Sequence, residues 1–268
     1  MDKNTFAKMI DVHLSSQLNL YMSEKKSYDN FDIYFGGLID DYYWNFATNI
    51  KSKTKEEFKL DWETMKSVFK ERNLQPVAYL TPLSPLYNDV DNLNLAVLYT
   101  DSWLTLKDIK NYPYYKSKLE LTFEIVNKDN IEKFIDGVCA GFASDDPEDP
   151  YGELSEGYRI ALRNGIKVND PKYKIQHYLV YCEDVVVGTA TVCYSDKIAC
   201  VYNVTTAKAY KKNGIAKELM SYLIKDMAAK GIKLICLQTE KGFYTENIYI
   251  KLGFEKAFYG KWSESVVT

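Results

Sequence analysis

The chain has 268 residues, of which 46% are hydrophobic and 26% are charged, and these proportions exclude a disordered or collagen-like protein. Its 34 Lys and Arg residues against 37 Asp and Glu residues give a net charge of -3, so there is no basic excess for binding a nucleic-acid backbone. No apolar run approaches the length of about 20 residues that spans a bilayer, and the start lacks an apolar signal core. We therefore expect a cytoplasmic protein without nucleic-acid or membrane partners.

The cysteine and histidine content argues against two kinds of catalytic centre. The five cysteines form no Cys-x-x-Cys pair and lie in apolar segments, which is typical of buried free thiols. The only histidines are His13 and His177, so neither a histidine-rich metal site nor a serine-type triad is predicted. We expect no metal in this protein.

Glycine content divides the chain into two parts. Only Gly36 and Gly37 of the 13 glycines lie in the first 115 residues. The polar segment 110–117 contains Pro113 and interrupts the apolar periodicity on both sides, so it is the best candidate for a boundary. We predict an N-terminal α/β domain over residues 1–115 and a second domain over residues 116–268.

The N-terminal part shows both helical and strand patterns. Two apolar stripes at helical spacing predict helices, the first formed by Phe6, Ile10 and Leu14, the second by Phe58, Trp62, Met65 and Phe69. Residues 76–80 and 95–99 are rich in strand formers. This part contains no glycine-rich phosphate loop, so we predict a mixed α/β unit without an obvious catalytic cluster.

The C-terminal part shows a clearer succession of elements. Its patterns predict, in order, a strand at 119–126, helices at 131–142 and 154–162, strands at 176–182, 185–194 and 198–206, a helix at 215–227, a strand at 232–238, a helix at 245–252 and a strand at 254–261. Turn-prone residues separate the three central strands, so these should form antiparallel hairpins. The predicted class is α/β (α+β), with a mixed, mainly antiparallel central sheet flanked by helices.

The junction between the third central strand and the following helix carries the most informative motif. It reads Lys211-Lys212-Asn213-Gly214-Ile215-Ala216. Free backbone N–H groups and the helix dipole favour an anion such as a pyrophosphate at a helix start, and the nearby Lys208 and Lys217 add positive charge. On its own, the motif also fits a solvated lysine loop that caps a helix.

A second motif, Ile248-Tyr249-Ile250-Lys251-Leu252-Gly253-Phe254, lies just before the last predicted strand. Together the two motifs resemble the GNAT superfamily of acyl-CoA-dependent N-acyltransferases. In that superfamily a basic-or-Gln-x-x-Gly-x-Gly/Ala loop binds the CoA pyrophosphate, and a Leu-Tyr-x-x-Leu-Gly-Phe element ends the helix before the penultimate strand. The resemblance covers roughly residues 118–262, and the predicted order of elements is that of the superfamily.

The resemblance implies a set of site residues for acetyl-CoA. The main chain around Val204, Thr205 and Thr206 would pair with the pantetheine arm, as at an exposed strand edge. The pyrophosphate would be surrounded by the loop and helix start, namely Lys211, Lys212, Asn213, Gly214, Ile215, Ala216 and Lys217. Tyr249 would be the general acid that protonates the leaving thiolate. The implied reaction is direct transfer of an acetyl group to a primary amine in a ternary complex.

The general base is the part of the pattern that the sequence does not supply. The central strand offers Asn203 and Thr205 where a glutamate would be expected, and Gln238 stands on the next strand. An amine could lose its proton through water or to a carboxylate from elsewhere, for which Glu153 is our first candidate.

An acidic loop between the first two helices of this domain is the candidate acceptor site. Its carboxylates would attract a cationic amine, and we place Asp145, Asp146, Glu148 and Tyr151 at the substrate. A solvated, proline-stiffened loop without a substrate role is the equally open alternative.

Two further questions stay open from the sequence. The missing strand glutamate also fits a catalytically inactive CoA-binding sensor or scaffold protein. The N-terminal part is either a degenerate second GNAT-like copy or an unrelated α/β domain. The expected partners are acetyl-CoA and an amine acceptor, with a homodimer as one assembly that we consider.

Overall fold

The computed structural model describes residues 2–18, 20–142, 153–167 and 170–266. The helices are α1 (Lys3–Gln17), α2 (Lys55–Lys70), α3 (Ile131–Phe142), α4 (Glu156–Gly165), α5 (Ile215–Ala229) and α6 (Tyr244–Lys251). The strands are β1 (Glu24–Ser27), β2 (Asp32–Phe35), β3 (Phe46–Thr48), β4 (Ala78–Leu80), β5 (Leu95–Leu106), β6 (Thr122–Ile125), β7 (Lys174–Cys182), β8 (Val185–Ser195), β9 (Ile198–Thr206), β10 (Leu234–Glu240) and β11 (Glu255–Ser265). Short 3₁₀ turns occur at Tyr42–Trp44, Tyr87–Asn92 and Lys208–Tyr210.

The described residues form one sheet of 11 strands, in the order β1-β2-β3-β4-β11-β5-β10-β9-β8-β7-β6. Neighbouring strands are antiparallel except for two parallel pairs, β3 with β4 and β9 with β10. A helix connects the strands of each parallel pair, α2 in the first case and α5 in the second. The predicted mixed, mainly antiparallel sheet flanked by helices is therefore confirmed.

The two sequence halves interlock at the centre of this sheet. Strand β5, from the N-terminal half, lies between β10 and β11 of the C-terminal half. Strand β11 in turn lies between β4 and β5. The strand order is thus mirrored about the β11–β5 pair, with β4 and β3 on one side corresponding to β10 and β9 on the other.

Three hydrophobic cores hold the helices against the sheet. Helices α1, α3 and α4 share one core on one side of the C-terminal strands, while α5 packs into a second core on the other side. Helix α2 covers the N-terminal strands through a third core that includes Phe58, Trp62 and Phe69. These are residues of the apolar stripe that predicted this helix.

Tertiary pairing changed several predicted element ends. The strand predicted at 95–99 extends to Leu106, because β5 pairs with β10 and β11 along its length. The strand predicted at 232–238 runs from Leu234 to Glu240, because its last residues pair with β5. The strand predicted at 119–126 is confined to Thr122–Ile125, which pair with β7 at the sheet edge.

All five cysteines are free thiols, as expected, and three of them are buried. Cys193, Cys200 and Cys236 occupy adjacent positions on β8, β9 and β10. None of the helices in the described ranges is both long and apolar enough to cross a membrane.

Candidate active site

The parallel strands β9 and β10 part before either of them ends. Their pairing runs from Ile198 opposite Leu234 to Val201 opposite Leu237. Beyond that point β10 continues with β5, and β9 continues with β8 as far as Thr206. The β9 edge over residues 202–206 therefore has no β10 partner. Backbone N–H and C=O groups on such an edge are available to an extended ligand that contains amides.

A β-bulge lies on this open part of β9. Thr189 pairs with Thr205 and Thr191 with Tyr202, so two residues of β9 oppose one of β8. Asn203 takes a positive φ of 52° there, which asparagine tolerates better than most residues. Bulges interrupt the ladder and redirect backbone groups locally. The bulge thus interrupts the β8–β9 ladder where β9 and β10 separate, and the Asn203 carbonyl accepts a hydrogen bond from the Thr189 hydroxyl at 3.0 Å.

Thr205 contributes to the open edge through its backbone, because its side chain is used for packing. The residue is buried, and its Oγ1 lies 2.6 Å from Oγ1 of Thr189. Helix α3 passes so closely that a Cβ added at Gly141 would lie 2.3 Å from the Cβ of Thr205. The threonine therefore fixes the distance between α3 and β9.

The N-terminus of α5 lies directly after this edge and has no side-chain cap. Its N-cap is Gly214, with φ 86° and no side-chain hydrogen bond. A Cβ at this position would lie 3.4 Å from Cα of Ser117, in the segment that joins the two halves. Lys212 also has a positive φ, of 67°. Glycine is thus required by the backbone conformation, and the first N–H groups of α5 lack a side-chain acceptor.

The corresponding helix of the N-terminal half is capped by its own residues. The Thr54 hydroxyl accepts a hydrogen bond from the Glu57 N–H at 3.2 Å, and the Glu57 carboxylate accepts one from the Lys53 N–H at 2.7 Å. The Thr54 hydroxyl therefore satisfies one of the N-terminal donors of α2, and the Glu57 side chain turns back over the start of the helix. The carboxylates of Glu56 and Glu57 also occupy the first turn, so this end of α2 disfavours phosphate.

The segment between the halves holds the first turns of α5 from one side. The buried Glu218 accepts hydrogen bonds from the Ser117 N–H at 2.7 Å and the Tyr114 hydroxyl at 3.1 Å. The Lys118 N–H and the Ser117 hydroxyl donate to the Asn213 carbonyl at 2.9 and 3.1 Å. These bonds fix the loop and place the one carboxylate of the first turn against the linking segment.

The remaining residues of the predicted phosphate loop divide into buried and accessible ones. Ile215 is buried in the core, so it can offer only its backbone. Lys212 and Lys217 are exposed, and the Lys217 ammonium lies 5.3 Å from the centre of the Tyr115 ring. Lys211 and Ala216 are half-buried. The loop thus combines backbone donors with accessible lysine side chains.

Tyr249 lies on α6 and is half-buried against the core that also holds α5. Its ring contacts Phe254 edge to face, with centroids 5.8 Å apart. Burial raises the pKa of the phenol, so it keeps its proton throughout the neutral range. Within the described residues no hydrogen bond engages its hydroxyl, which is therefore available as a proton donor.

Comparison with known proteins agrees with this geometry. Residues 174–256 match the family model of the acetyltransferase (GNAT) domain. The matched range contains β9, the uncapped start of α5, β10 and Tyr249. No curated protein matches the chain in sequence.

Several solved structures share the fold over nearly the whole chain. A GCN5-related N-acetyltransferase from Kribbella flavida has 15% identity and a TM-score of 0.69, with 98% of this chain and 96% of that chain covered. A functionally unknown conserved protein from Staphylococcus epidermidis has 14% identity and a TM-score of 0.66, with 91% and 94% covered. A tandem GNAT protein from the clavulanic acid biosynthesis pathway has 9% identity and a TM-score of 0.61, with 96% and 89% covered. At these identities the likeness shows the GNAT fold alone.

The residues that we expected at the acceptor lie either at the surface of the protein or outside the described ranges. Glu153 is exposed and precedes α4, and it makes no ion pair with another described residue. Asp145, Asp146, Glu148 and Tyr151 lie outside the described residues. Among the residues that are described, no group of three or more His, Cys, Asp or Glu side chains could hold a metal ion.

The N-terminal half reaches the C-terminal half where β9 and β10 part, a contact that the sequence did not predict. The Tyr21 hydroxyl donates to Asn203 Oδ1 at 2.9 Å, and the Tyr43 hydroxyl donates to Gln238 Oε1 at 3.3 Å. Each tyrosine thus holds an amide on one of the two diverging strands. No local motif marks either tyrosine, because the contact depends on long-range pairing in a chain with 23 tyrosines.

Proposed function

We propose that this protein is an N-acyltransferase that transfers an acetyl group from acetyl-CoA to a primary amine. The observation that carries the proposal is the open edge of β9, which leads directly to the uncapped N-terminus of α5 and its lysines. A ligand with an amide-containing arm and a pyrophosphate at one end matches that order of backbone groups and positive charge. Gly214 allows the positive φ of 86° with which the chain enters α5.

The residues of the GNAT domain would act on the reaction in three ways. The open edge of β9 holds the acyl donor beside the acceptor, which supplies proximity. Backbone N–H groups of β9 near the bulge at Asn203 would polarise the thioester carbonyl. Tyr249 supplies a proton to the sulfur as it leaves. Since burial keeps its phenol protonated, no other acid is needed at neutral pH.

We propose that residues 1–115 are a degenerate second copy of the same fold. The support is the mirrored strand order about the β11–β5 pair and the helix that joins each parallel pair of strands. In this copy the capping box of Thr54 and Glu57 closes the position that corresponds to the phosphate loop. One acyl-CoA site per chain, in residues 116–268, follows from the difference.

A CoA-binding sensor without transferase activity is the second candidate. It is favoured by Asn203, Thr205 and Gln238, none of which is the carboxylate expected on these strands. An acyltransferase would release free CoA from acetyl-CoA when an amine is added, whereas a sensor would not.

The test combines binding with turnover. Acetyl-CoA should raise the melting temperature through binding to the native state, and a panel of primary amines should then release CoA thiol in a colorimetric assay. Stabilisation by acetyl-CoA without thiol release from any amine would favour the sensor. No stabilisation and no release would overturn both functions.

A further inference from the structure

A pair of carboxylates lies where the two halves interlock, close to the point where β9 and β10 part. Asp101 on β5 is directly opposite Glu240 on β10. Directly opposed residues of antiparallel strands point to the same face, with Cβ atoms about 4.5–5.5 Å apart. Asp101 is fully buried, whereas Glu240 is half-buried. None of the ion pairs found among the described residues includes either carboxylate.

The environment of Asp101 makes it a proton acceptor near neutral pH. Burial raises its pKa to about 7, hydrogen bonds from Trp262, Tyr79 and Tyr99 lower it, and the charge of Glu240 raises it further. Oδ2 accepts a hydrogen bond from the Trp262 indole N–H at 2.9 Å. Oδ1 has no hydrogen bond of good geometry from the described residues. One oxygen is therefore held in place, and the other can receive a proton.

The surroundings of the pair are acidic and aromatic. The Tyr42 phenol, in the 3₁₀ turn of the N-terminal half, has a pKa raised by burial and then by the charges of Asp41, Asp101, Glu240 and Glu264. Tyr42 also lines a cavity of about 300 Å³ together with Asp40 and Asp41. The neighbouring cation Lys241 lies 4.7 Å from the Tyr259 ring centre. Negative charge next to aromatic rings favours an ammonium group.

The carboxylates of Asp101 and Glu240 lie close, along β10, to the position that we expect for the acyl group. Gln238 is the first residue of β10 beyond its pairing with β9, and Glu240 follows two residues later on the same face, about 7 Å away. Trp103, opposite Gln238, donates to the Tyr79 hydroxyl at 2.7 Å. The Asp101 carboxylate and the Gln238 amide both shift the pKa of that hydroxyl. A continuous polar layer therefore connects Asp101 with the opening between the strands.

We propose that Asp101 and Glu240 form the acceptor-amine site, in which Glu240 binds the ammonium group and Asp101 takes its proton. The inference rests on the proposed acyltransferase function and deepens it by naming an acceptor class. The carboxylates of Asp101 and Glu240, together with those of Asp41 and Glu264 that also act on Tyr42, favour an aliphatic diamine or polyamine and disfavour an acceptor that carries a carboxylate.

The proton balance assigns each group one task. The carboxylate of Asp101 takes one proton from the bound ammonium, R–NH3⁺, and leaves the neutral amine. The amine nitrogen then forms the bond to the acyl carbon, the carbon–sulfur bond breaks, and Tyr249 protonates the sulfur. The acylated nitrogen then loses a second proton, which passes to the Tyr249 oxygen and restores the phenol. Asp101 releases the first proton to solvent. The products are the amide, CoA thiol and one proton.

Binding of the acceptor can be tested apart from turnover. The intact protein, saturated with CoA, is titrated calorimetrically with 1,4-diaminobutane and with 4-aminobutanoate. We expect the diamine to bind more tightly, and Glu240→Gln to weaken its binding about tenfold or more, which is the effect of removing one close charge. Glu124→Gln, an exposed carboxylate at the far edge of the sheet, is the matched control. Equal binding by wild type and Glu240→Gln would overturn the ammonium site.

The pH dependence of turnover tests Asp101. In the wild type, kcat/KM for the diamine should fall as the pH drops below about 7, because a protonated Asp101 cannot accept another proton. Asp101→Asn should lower kcat about 10²-fold or more and abolish that acidic limb, while CoA affinity is unchanged. An active Asp101→Asn enzyme with the same limb would overturn the role of Asp101. A wild type that binds the diamine without turning it over would instead contradict the transferase function.

Discussion

At the scale of single residues, the role proposed for Tyr249 is that of the proton donor to the leaving thiolate. Its position on α6, its half-buried ring and its raised pKa suit a proton donor. Tyr249→Phe removes only the hydroxyl, so kcat should fall by about 10 to 10³ with little change in the affinity for CoA. Single-turnover kinetics and calorimetric titration with CoA measure the two quantities.

The matched control for this variant is Tyr244→Phe, on the same helix. Tyr244 is 38% exposed and lies at the start of α6. Its loss should leave kcat unchanged. If both variants reduced kcat equally, the effect would belong to the helix as a whole, and Tyr249 would lose its role as the acid.

Asp101 predicts a pH-dependent stability that is separate from catalysis. Its pKa is about 7 in the folded protein and about 3.9 in an unfolded chain. Below pH 4 both states hold the proton, so burial of the carboxyl has no ionisation cost. From pH 4 to 7 the unfolded state releases the proton first, and the free energy of unfolding falls. Above pH 7 the loss is constant, at up to about 4 kcal/mol.

Asp101→Asn removes this ionisation, so its stability relative to the wild type should be greater at pH 8 than at pH 4.5. Urea unfolding at the two pH values measures the difference, with Glu124→Gln as a control that alters one exposed carboxylate. A stability difference that is the same at both pH values would show that Asp101 has an ordinary pKa.

The residues of the proposed phosphate loop could be chosen from the sequence because the chemistry that suggests them is local. A glycine and lysines at a helix start indicate anion binding without knowledge of distant contacts. Asp101 and Tyr43 could not be found in this way, since their environment comes from strands far away in sequence. A buried acid on an alternating strand has the same sequence pattern as an exposed one.

At the scale of elements, the start of α5 carries the predicted cofactor site. Gly214 has φ 86°, a conformation that other residues rarely adopt. Gly214→Glu adds a side chain and a negative charge where phosphate is expected, so CoA binding should be lost in a calorimetric titration. The strain of a non-glycine residue at positive φ, about 1 kcal/mol or more, should also lower stability.

Gly231→Glu separates strain from charge at the phosphate site. Gly231 follows the other end of α5 and has φ 82°. This variant should lose similar stability and keep its CoA affinity. Loss of CoA binding in both variants would mean that the integrity of α5, and not the loop, controls binding.

The contrast between α5 and α2 predicts the number of CoA sites. Because Thr54 caps α2 and the carboxylates of Glu56 and Glu57 occupy its first turn, calorimetry should give one CoA per chain. The double variant Thr54→Ala and Glu57→Ala should lower stability by about 1–2 kcal/mol, as the loss of a helix cap does. The stoichiometry should remain one, and a value of two in the wild type would contradict the assignment.

Helices and local hairpins were predictable because they depend on neighbouring residues. Strand β5 was predicted only over its first residues, and its full length arises from pairing on both sides with strands of the C-terminal half. No pattern within residues 95–106 distinguishes pairing inside the N-terminal half from insertion between β10 and β11.

At the scale of the whole molecule, the interlocked sheet connects the two halves more closely than a linker between domains would. Strand β5 pairs with β10 over six residues, from Asp101 to Leu106. On its other side it pairs with β11 from Leu95 to Thr105. Without β5, both strands would expose unpaired edges in the middle of a sheet. The proposed acceptor site also requires both halves, because Asp101 and Glu240 come from different ones.

Residues 116–268 expressed alone should therefore not form a cooperatively folded monomer. The intact chain should unfold in a single thermal transition, whereas the fragment should aggregate or show no cooperative transition. Co-expression with residues 1–115 should restore a soluble complex with one transition and one CoA site. Circular dichroism and analytical ultracentrifugation distinguish these outcomes.

A nicked chain is the matched control, because it breaks the same connection without removing a strand. A protease site inserted between the exposed residues Lys110 and Asn111 allows cleavage in a segment without helix or strand. The two pieces should stay associated through β5 and β11 and keep the single transition. If residues 116–268 alone folded cooperatively as a monomer and bound CoA, the exchange of strands would be a contact between two independent domains. Asp101 would then be dispensable for the fold of the domain that binds the acyl donor.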